Sequence, residues 1–288
     1  MGLRLKFNLV LLVVFAIGLG ATGYVSYELL HRNAREEVLR NAGVMMEAAL
    51  SARSYTATKV RPALPYNADK FLPEGVPAFA ATEIMTLLRK KYPDYAYKEA
   101  ALNPTSPRNR AVEWEEDIIK AYRADPARGE ISGVRETPTG RSLYLARPFQ
   151  IKDQTCLACH TTPEMAPAAM VKIYGPANGF GWKLNEVIGA QIVSVPMNLP
   201  IHNANRAFVT FMTSLAIVFA VLFVVLNIML TRLIVEPITE LSFAADQMSK
   251  GKTDVAELPA KGSDEVAQLG QAFNRMRRSL QKAISLIQ

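Results

Sequence analysis

Two stretches of this chain carry no charged side chain and are each long enough to cross a lipid bilayer. They cover residues 7–27 and 207–231, and a helix rising about 1.5 Å per residue would span the roughly 30 Å of hydrocarbon in either case. A cleaved signal peptide is an alternative for the first stretch, because Arg4 and Lys6 precede it. However, the apolar run is longer than a signal core, and no clear A-x-A site follows. We therefore predict a short tail and transmembrane helix in residues 1–30 and a second transmembrane helix in residues 207–231.

The domain between these two stretches, residues 31–206, mixes helical and strand-like patterns. Leucine, valine and methionine recur at helical spacing from residue 36 to 59, and residues 112–124 form a second amphipathic pattern that ends before Pro126. Four shorter segments are typical of β-strands, namely residues 95–101, 129–136, 142–151 and 189–195. Residues 137–141 (TPTGR) suit a hairpin loop between two of them. These patterns predict an α+β fold with helices flanking an antiparallel sheet.

The segment after the second apolar stretch, residues 232–288, carries two heptad patterns. Its apolar residues step by three and four, which is the seam of a coiled coil, and Gly251 and Pro259 mark a connector between the two predicted helices. A pair of helices lying on the membrane surface is the alternative, although such helices usually carry more lysine and arginine. The seam residues are Ile238, Leu241, Ala245 and Met248, and then Val266, Leu269, Phe273, Met276, Leu280, Ala283 and Ile287.

Charge restricts the partners of the chain and bears weakly on its orientation. The formal net charge of +7 is spread mostly over the central domain with acidic residues interspersed, and no basic block with interleaved aromatic residues occurs. We therefore expect no nucleic-acid partner. Arg4, Lys6 and Arg232 favour a cytoplasmic location for both ends of the chain, whereas Arg32 and Arg35 argue for the opposite orientation.

Both cysteines of the chain lie within four residues, in the sequence Cys156-Leu157-Ala158-Cys159-His160. This spacing is typical of covalent haem attachment, in which the two thiols add to the vinyl groups of one porphyrin and the adjacent histidine ligates the iron. A zinc site would need about four ligands, and no second cysteine pair exists; a redox-active disulfide is the main remaining alternative. The sequence therefore predicts one covalently attached haem c, with Cys156 and Cys159 as attachment residues and His160 as an axial ligand.

The sixth ligand of the iron is left open by the sequence. Both cysteines are used in the thioethers, and methionine is the commonest partner of histidine in cytochromes c. Met45 and Met46, on the predicted helix of residues 36–59, are therefore candidates, although a methionine on an apolar helix face is usually a core residue. Tyr55, one of the other histidines (His31 and His202), water or an open position are the alternatives, and an open position would allow a gas to bind.

Arginines and glycines supply further candidate contacts to the porphyrin. Arg53, Arg61 and Arg147 could pair with the haem propionates, because guanidinium binds carboxylate in a bidentate fork; each could equally be a solvated surface residue. The glycines of residues 175–181, next to Phe180 and Trp182, could let the backbone approach the porphyrin closely or could form an ordinary loop.

A glycine pattern in the first apolar stretch looks like a nucleotide-binding motif but lacks its context. Residues 18–23 (GLGATG) match G-x-G-x-x-G, yet they lie inside a continuous apolar segment with no room for a strand–turn–helix unit. Small residues in a membrane helix more often allow close helix approach. We interpret this pattern as a dimer contact and not as a dinucleotide-binding site.

Several motifs of the central domain occur together and extend over more than half of the chain. They are Ser54-Tyr55-Thr56 with Val60-Arg61-Pro62, VPAFAA at 76–81, YKEAALNPTSPRNRAVEWE at 97–115, CLACHTTPEMAP at 156–167, and YGPANGFGWKLNEVIGAQIVSVPM at 174–197. In these motifs the central domain resembles a bacterial family of single-haem c-type sensor domains with a PAS-like fold. The resemblance implies an input domain that senses redox state or a gas.

The C-terminal segment resembles the HAMP linker of bacterial receptors. The resemblance rests on Pro237 just after the second apolar stretch, on the short connector and on DEVAQLGQAFNRM at 264–276. It implies a parallel four-helix coiled coil formed by two copies of the chain, which passes conformational change across the membrane.

Together these features predict a homodimeric haem sensor of the bacterial inner membrane. Two spans would place the haem domain in the periplasm, where c-type attachment occurs, and both termini in the cytoplasm. The signal would pass to a cytoplasmic partner or to an output domain beyond Gln288, and we expect no enzymatic activity because no catalytic set or P-loop is found. A membrane-anchored monohaem cytochrome for electron transfer and a sensor of nitric oxide or carbon monoxide are the alternatives.

Overall fold

The computed structural model describes residues 2–64, 71–252, 254–259 and 262–286 and divides into two compact units. The first unit is Glu28–Arg206, and the second combines Met1–Tyr27 with Ala207–Gln288. The helices are α1 (Leu3–Tyr55), α2 (Arg61–Ala63), α3 (Pro77–Lys91), α4 (Glu113–Ala124), α5 (Leu157–His160), α6 (Ala168–Tyr174), α7 (Asn198–Leu230), α8 (Glu236–Ser249) and α9 (Glu265–Ser285). The strands are β1 (Ala96–Ala101), β2 (Ile131–Thr137), β3 (Gly140–Gln150) and β4 (Val187–Pro196).

The four strands form one antiparallel sheet in the order β1-β4-β3-β2. The predicted α+β class is therefore confirmed, and each predicted strand lies within two residues of an observed one at either end. The predicted five-residue hairpin loop is wrong in length, because Thr137 already pairs with Gly140 and the turn consists of Pro138 and Thr139. Gly140 has φ +112°, a backbone conformation that glycine adopts without steric cost and that closes this short turn.

One face of the sheet packs against α1, and we call it the α1 face. Alternate residues of each strand point to the same side, and the register places Tyr97, Val193 and Leu145 side by side on this face. Two residues further along the strands, Glu99, Gln191 and Arg147 form the next row, and then come Ala101, Gly189 and Phe149. The face thus changes from an apolar end to a polar row and then to a row with a glycine.

The apolar end of the α1 face forms a methionine-rich core with the helix. Its buried members are Val38, Ala42, Met45, Met46, Ala49, Met85, Leu143, Leu145, Val193, Val195 and Met197. The spacing of the α1 members in steps of three and four is that of one buried helix face, so the amphipathic pattern predicted from residue 36 is confirmed.

The opposite face, which we call the α4 face, is covered by α4. Ile118, Ile119 and Tyr122 pack against Ala146 and Ile192 of the sheet. The hydroxyl of the fully buried Tyr122 donates to the carbonyl oxygen of Ala146 at 2.7 Å and accepts from the backbone N–H of Ile131 at 3.1 Å. Since the hydroxyl joins α4 to both strands of the β2–β3 hairpin, it holds the three elements in register.

The first apolar stretch and the amphipathic helix after it are one helix. The sequence shows an apolar pattern followed by an amphipathic one, and α1 joins the two without a break over 53 residues. Residues 28–35 contain no glycine or proline, so nothing in them ends the helix. A π-helical turn, Thr56–Val60, follows, and the Thr56 hydroxyl donates to the carbonyl oxygen of Ala52 at 2.8 Å. Such wide turns are rare and occur frequently at functional sites.

Helices α3 and α6 of the central domain have no counterpart in the sequence prediction. The motif at residues 76–81 opens α3, with Pro77 at its first position, where proline fits a helix start. The seven-residue helix α6 is shorter than the window over which helical periodicity can be recognised.

Within the second unit, α1 and α7 are both long and apolar enough to cross a membrane by length and composition. Their paired region includes Phe15 stacked on Phe219, with ring centroids 4.8 Å apart. A Cβ atom at Gly18 would lie 3.8 Å from the Phe219 ring, and one at Gly23 would lie 3.3 Å from the Met212 methyl group. The glycine pattern therefore meets the second apolar helix of the same chain.

The C-terminal part of this unit folds as two helices tied together by their connector. The side chain of Asn274 on α9 donates to the carbonyl oxygen of Leu258 and accepts from its N–H, at 2.9 and 3.1 Å. Arg277 donates to the carbonyl oxygen of Val255. Among the predicted seam residues, Phe273 is buried while Leu269, Met276 and Leu280 are exposed within one chain; Ile287 lies outside the described residues.

Candidate functional site

The cysteine–histidine motif sits on a short helical turn after β3. Asp153 caps this turn, its carboxylate accepting from the N–H of Thr155 at 2.8 Å. Cys156 ends a 3₁₀ turn and Cys159 lies within α5. Since residues three apart in a helical turn lie on the same side, the two thiols are presented together. Both are free and half-buried.

The imidazole of His160 is held by a backbone carbonyl and an aromatic ring. Its Nδ1 lies 2.7 Å from the carbonyl oxygen of Gly179, and its ring stacks on Trp182 with centroids 3.9 Å apart and planes 14° apart. A carbonyl oxygen can only accept, so Nδ1 carries the proton, and in the neutral ring Nε2 is left with its lone pair. Burial lowers the pKa of His160, with the Gly179 bond acting against it, and the neutral form is thereby favoured.

The glycine-rich loop that supplies this carbonyl is fixed by a second loop, between β1 and α4. Asn103 accepts from the N–H of Gly179 at 3.0 Å and donates to the carbonyl oxygen of Phe180 at 3.1 Å. Gly179 has φ +86°, and a Cβ atom there would lie 2.8 Å from the Thr105 backbone. Both its conformation and its surroundings therefore require glycine. Gly181 has a similar φ of +79°, but a Cβ there would meet open space.

The end of α1 and the turns after it carry two arginines within electrostatic range of the cysteines. Burial and the Asp153 carboxylate raise the pKa of the Cys156 thiol, while Arg53 and Arg61 act in the opposite direction. Burial also raises the pKa of Cys159, again opposed by Arg61. Both sulfurs are therefore thiols at neutral pH, in a local field set by two cations and one carboxylate.

Arg53 also reaches a buried carboxylate on the sheet. Its Nη1 donates to both carboxylate oxygens of Glu99, at 2.6 and 2.5 Å, and its guanidinium lies over the Phe149 ring at 4.7 Å. Glu99 is 2 % exposed, and the Tyr97 hydroxyl donates to it at 2.8 Å. This pair occupies the polar row of the α1 face, between the methionine-rich core and the row of Phe149 and Gly189.

Comparison with known proteins assigns the two parts of the chain. The Tll0287-like family matches residues 31–196, more than half of the chain. The chain belongs to the Tll0287-like family. Residues 229–282 match the HAMP domain, so a HAMP domain follows the second long apolar helix, as predicted.

Among solved structures, the crystal structure of the cyanobacterial heme-protein Tll0287 is similar to part of this chain. The two are 14 % identical, the similarity covers 56 % of this chain and 95 % of that chain, and the TM-score is 0.45. No curated protein matches this chain.

In the Tll0287-like domain, the predicted arginines fall into two groups. Arg53 and Arg61 lie close enough to the cysteines to act on the thiol of Cys156. Arg147 instead donates to Glu47 at 2.7 Å and to Glu130 at 2.6 and 2.8 Å. A contact from any of them to a propionate stays a prediction, and Arg53 and Arg147 already have carboxylate partners within the domain.

The predicted sixth ligands are not grouped with the cysteine–histidine motif. Met45 and Met46 are 7 % and 0 % exposed and belong to the methionine-rich core. Arg53 follows Met46 by seven residues, which is about 10 Å along a helix, so the polar row separates the two methionines from the cysteine end of the domain. Methionine ligation stays a prediction that this packing does not support. Tyr55 and His202 are both exposed.

Sequence reasoning missed Asn103, Thr105 and Glu99 as parts of this site. All three lie in the stretch 97–115 that carries the family resemblance, and Glu99 is a charged residue in the middle of a strand that ends in two alanines. A carboxylate at such a position indicates that it is buried with a partner. The sequence alone does not identify the partner residue.

Proposed function

We propose that this chain is a membrane-bound sensor that holds one haem covalently through Cys156 and Cys159, with His160 as an axial ligand, and passes a change at the haem to its HAMP domain. Membership of the Tll0287-like family together with a HAMP domain supports a haem-based signal transducer. Redox sensing and covalent attachment are our more specific proposal.

One observation carries the proposal, namely the hydrogen bond from His160 Nδ1 to the Gly179 carbonyl at 2.7 Å. A histidine that ligates a metal normally donates its other ring nitrogen to a carbonyl or carboxylate, which fixes the ring and its tautomer. Here that bond and the stacking on Trp182 hold the ring in one orientation. Nε2 then remains available for the iron, next to two free thiols at the correct spacing.

The donor set fits a c-type haem. Two protonated thiols three residues apart can each form one thioether, and the neutral imidazole supplies a nitrogen ligand. When bound, the haem would supply a one-electron redox couple and an iron that binds small ligands. The residues of the chain would attach it, orient the imidazole and surround it with the charges of Arg53, Arg61 and Asp153.

The relay to the HAMP domain would run through helices that are continuous with the sensor domain. α1 extends from the first apolar stretch to the turns beside Cys156, and α7 leads through a π-helical turn to α8 of the HAMP domain. We propose that the spans lie in a bacterial inner membrane, with the sensor domain periplasmic and both termini cytoplasmic. Two copies would pair through the HAMP helices, whose exposed Leu269, Met276 and Leu280 suit such a coiled coil.

In this proposal the chain catalyses no reaction and acts on a cytoplasmic partner or an output domain. A membrane-anchored cytochrome for electron transfer would need an anchor but no relay. The presence of a HAMP domain therefore favours the sensor function. Nucleic acid is not among the proposed partners.

A gas-sensing function is the second candidate, and the placement of the methionines favours it. Since Met45 and Met46 are packed in the core, the sixth position would be filled by a weakly held group or left open. Nitric oxide or carbon monoxide could then bind to the iron.

The test is an absorption spectrum of the full-length protein purified in detergent, oxidised and then reduced, with and without carbon monoxide. A c-type spectrum that carbon monoxide leaves unchanged supports redox sensing by a six-coordinate haem. A carbon monoxide shift supports the gas-sensing candidate. A chain produced in cells that mature cytochromes c but carrying no haem would overturn both.

A further inference from the structure

The ion pair of Arg53 and Glu99 is unusual because it is buried and joins the long helix α1 to the sheet. The carboxylate side chain is 1 % exposed and the arginine side chain 20 % exposed. Glu99 is also bonded to the Tyr97 hydroxyl, which Gln191 approaches at 3.5 Å. The two charges are 46 residues apart in the chain, so the pair exists only when α1 is docked on β1.

Stability alone is a weak reason for such a pair. Taking two charges out of water costs several kcal/mol per ion, and replacing a buried pair by apolar residues of similar volume is often neutral or stabilising. The neighbouring row of the same face is packed with valine and leucine. Apolar side chains could therefore have filled the space that the ion pair occupies. Stability therefore does not explain why a charged pair occupies this position near the cysteines.

Arg53 lies between the buried carboxylate of the sheet and the cysteine–histidine motif. On one side it contacts Glu99, and on the other its guanidinium lies over Phe149 and acts on the thiol of Cys156. Arg61 lies beyond it, after the π-helical turn Thr56–Val60, and acts on both cysteines. Arg53 is therefore the charged residue of α1 that is in contact with the sheet and also within electrostatic range of the cysteine–histidine motif.

We propose that the Arg53–Glu99 pair couples the charge at the Cys156–His160 site to the docking of α1 on the sheet; this inference rests on the proposed function. When a bound haem accepts one electron from a one-electron donor, the positive charge at the site falls by one. The guanidinium of Arg53 is repelled toward Glu99 in the oxidised state and released from that repulsion in the reduced state. The pair fixes the last turn of α1 on the sheet. The redox state therefore shifts the docking equilibrium of the helix that continues into the first membrane span.

Thermodynamic linkage makes this coupling measurable without knowledge of the output. If the pair changes the equilibrium between oxidised and reduced haem by some factor, the redox state changes the equilibrium of the pair by the same factor. The midpoint potential of the haem therefore reports the coupling, and charge variants on the two sides of the pair must shift it in opposite directions.

The experiment is a redox titration of the full-length protein in detergent, followed by its absorption spectrum, for wild type and four variants. Arg53→Gln removes a positive charge that favours the reduced state, so the potential should fall. Glu99→Gln leaves that charge unbalanced, so the potential should rise. Each shift should be about threefold to tenfold in the oxidised/reduced equilibrium, where tenfold corresponds to about 59 mV for one electron. Arg53→Lys keeps the charge and should restore most of the wild-type potential.

Lys98→Gln is the matched control, because Lys98 lies on the same strand as Glu99 but pairs with the buried Glu115 of α4, on the other face of the sheet. Its potential should stay at the wild-type value. A merely structural role for the pair would give a different pattern, because loosening this region admits water, which stabilises the more charged oxidised state and lowers the potential in every variant. The upward shift of Glu99→Gln is thus decisive even if Arg53→Gln fails to fold.

Shifts of the same sign, or none, in a protein that still carries haem would overturn the coupling and leave the proposed function standing. Absence of haem from the wild-type chain would instead overturn the proposed function itself.

Discussion

On the α4 face of the sheet, the buried hydroxyl of Tyr122 bonds to two backbone groups, whereas on the α1 face the buried carboxylate of Glu99 bonds to the side chains of Arg53 and Tyr97. The first arrangement is neutral and joins elements that are close in sequence. The second is charged, joins segments 46 residues apart and contains an arginine within electrostatic range of the Cys156 thiol. The same sheet thus uses buried polar groups for register on one face and, in our proposal, for communication on the other.

This difference teaches how to separate structural from functional polar groups within one domain. A neutral group satisfied by backbone fixes geometry and responds little to a distant charge. A charged pair with side chains on both sides responds to any change of charge nearby, and the low local dielectric enlarges that response. Variants on the two faces should therefore affect different measurements.

The largest effect is expected at the cysteine end of the α1 face. The double variant Cys156→Ser/Cys159→Ser should lose all covalently bound haem, because a hydroxyl does not form the thioether. A haem stain of the denatured chain measures this, and the single variant Cys156→Ser should retain partial staining through Cys159. Full staining of the double variant would show that these cysteines do not attach the haem.

Replacement of Met46 separates core packing from iron ligation. Met46→Ala removes a fully buried side chain and should lower the free energy of unfolding by about 2–5 kcal/mol. Met46→Leu conserves volume and should cost less than about 1.5 kcal/mol, with an absorption spectrum identical to that of the wild type. Thermal and denaturant unfolding followed by tryptophan fluorescence give the stability. A changed spectrum in Met46→Leu would identify Met46 as the sixth ligand and contradict its assignment to the core.

The two glycines of the loop beside His160 form a matched pair. Both adopt positive φ, which costs a residue with a Cβ about 1–2 kcal/mol. Gly179→Ala would in addition collide with Thr105, so its loss of stability should exceed that of Gly181→Ala by about 1–3 kcal/mol. Because Gly179 also holds His160, Gly179→Ala should alter the haem spectrum while Gly181→Ala should not. Equal spectra in both variants would show that the carbonyl of Gly179 does not orient the ligand.

Much of this architecture is readable from sequence because its signals are local. Each of the four strands lies in a short segment bounded by turn residues, and the cysteine–histidine motif is contiguous. The Gly179 carbonyl that receives His160 is 19 residues away from it, and Asn103 is 76 residues from Gly179. No local pattern reveals such contacts, since they arise only when the sheet brings two loops together.

The methionines illustrate the opposite difficulty. Met45 and Met46 have the right chemistry for an iron ligand and lie on the helix that leads to the site, so residue type alone cannot separate a ligand from a core residue. The structure places both methionines in the core, at a height on α1 that the polar row of Glu99 separates from the cysteine end of the domain. That height depends on the docking of α1, which is a tertiary property.

The smallest effect is expected from alkaline titration of the buried tyrosines, one on each face. Burial raises the pKa of Tyr122 to about 12, and burial also raises the pKa of Tyr97. The unfolded chain releases these protons near pH 10, so between about pH 10 and 12 the unfolded state binds fewer protons than the folded state, and stability falls as pH rises. Each tyrosine should contribute a slope of about 1.4 kcal/mol per pH unit.

Tyr122→Phe and Tyr97→Phe distinguish the two contributions. Tyr122→Phe should reduce the slope by about 1.4 kcal/mol per pH unit up to about pH 12 and leave the midpoint potential of the haem unchanged, because the α4 face carries no coupling. Tyr97→Phe should reduce the slope similarly and also shift the potential, since it removes a hydrogen bond from Glu99. Equal shifts of the potential in both variants would contradict the distinction between the two faces. The neutral Tyr122 hydroxyl would then influence the haem as strongly as the Tyr97 hydroxyl, which bonds to the buried Glu99 carboxylate.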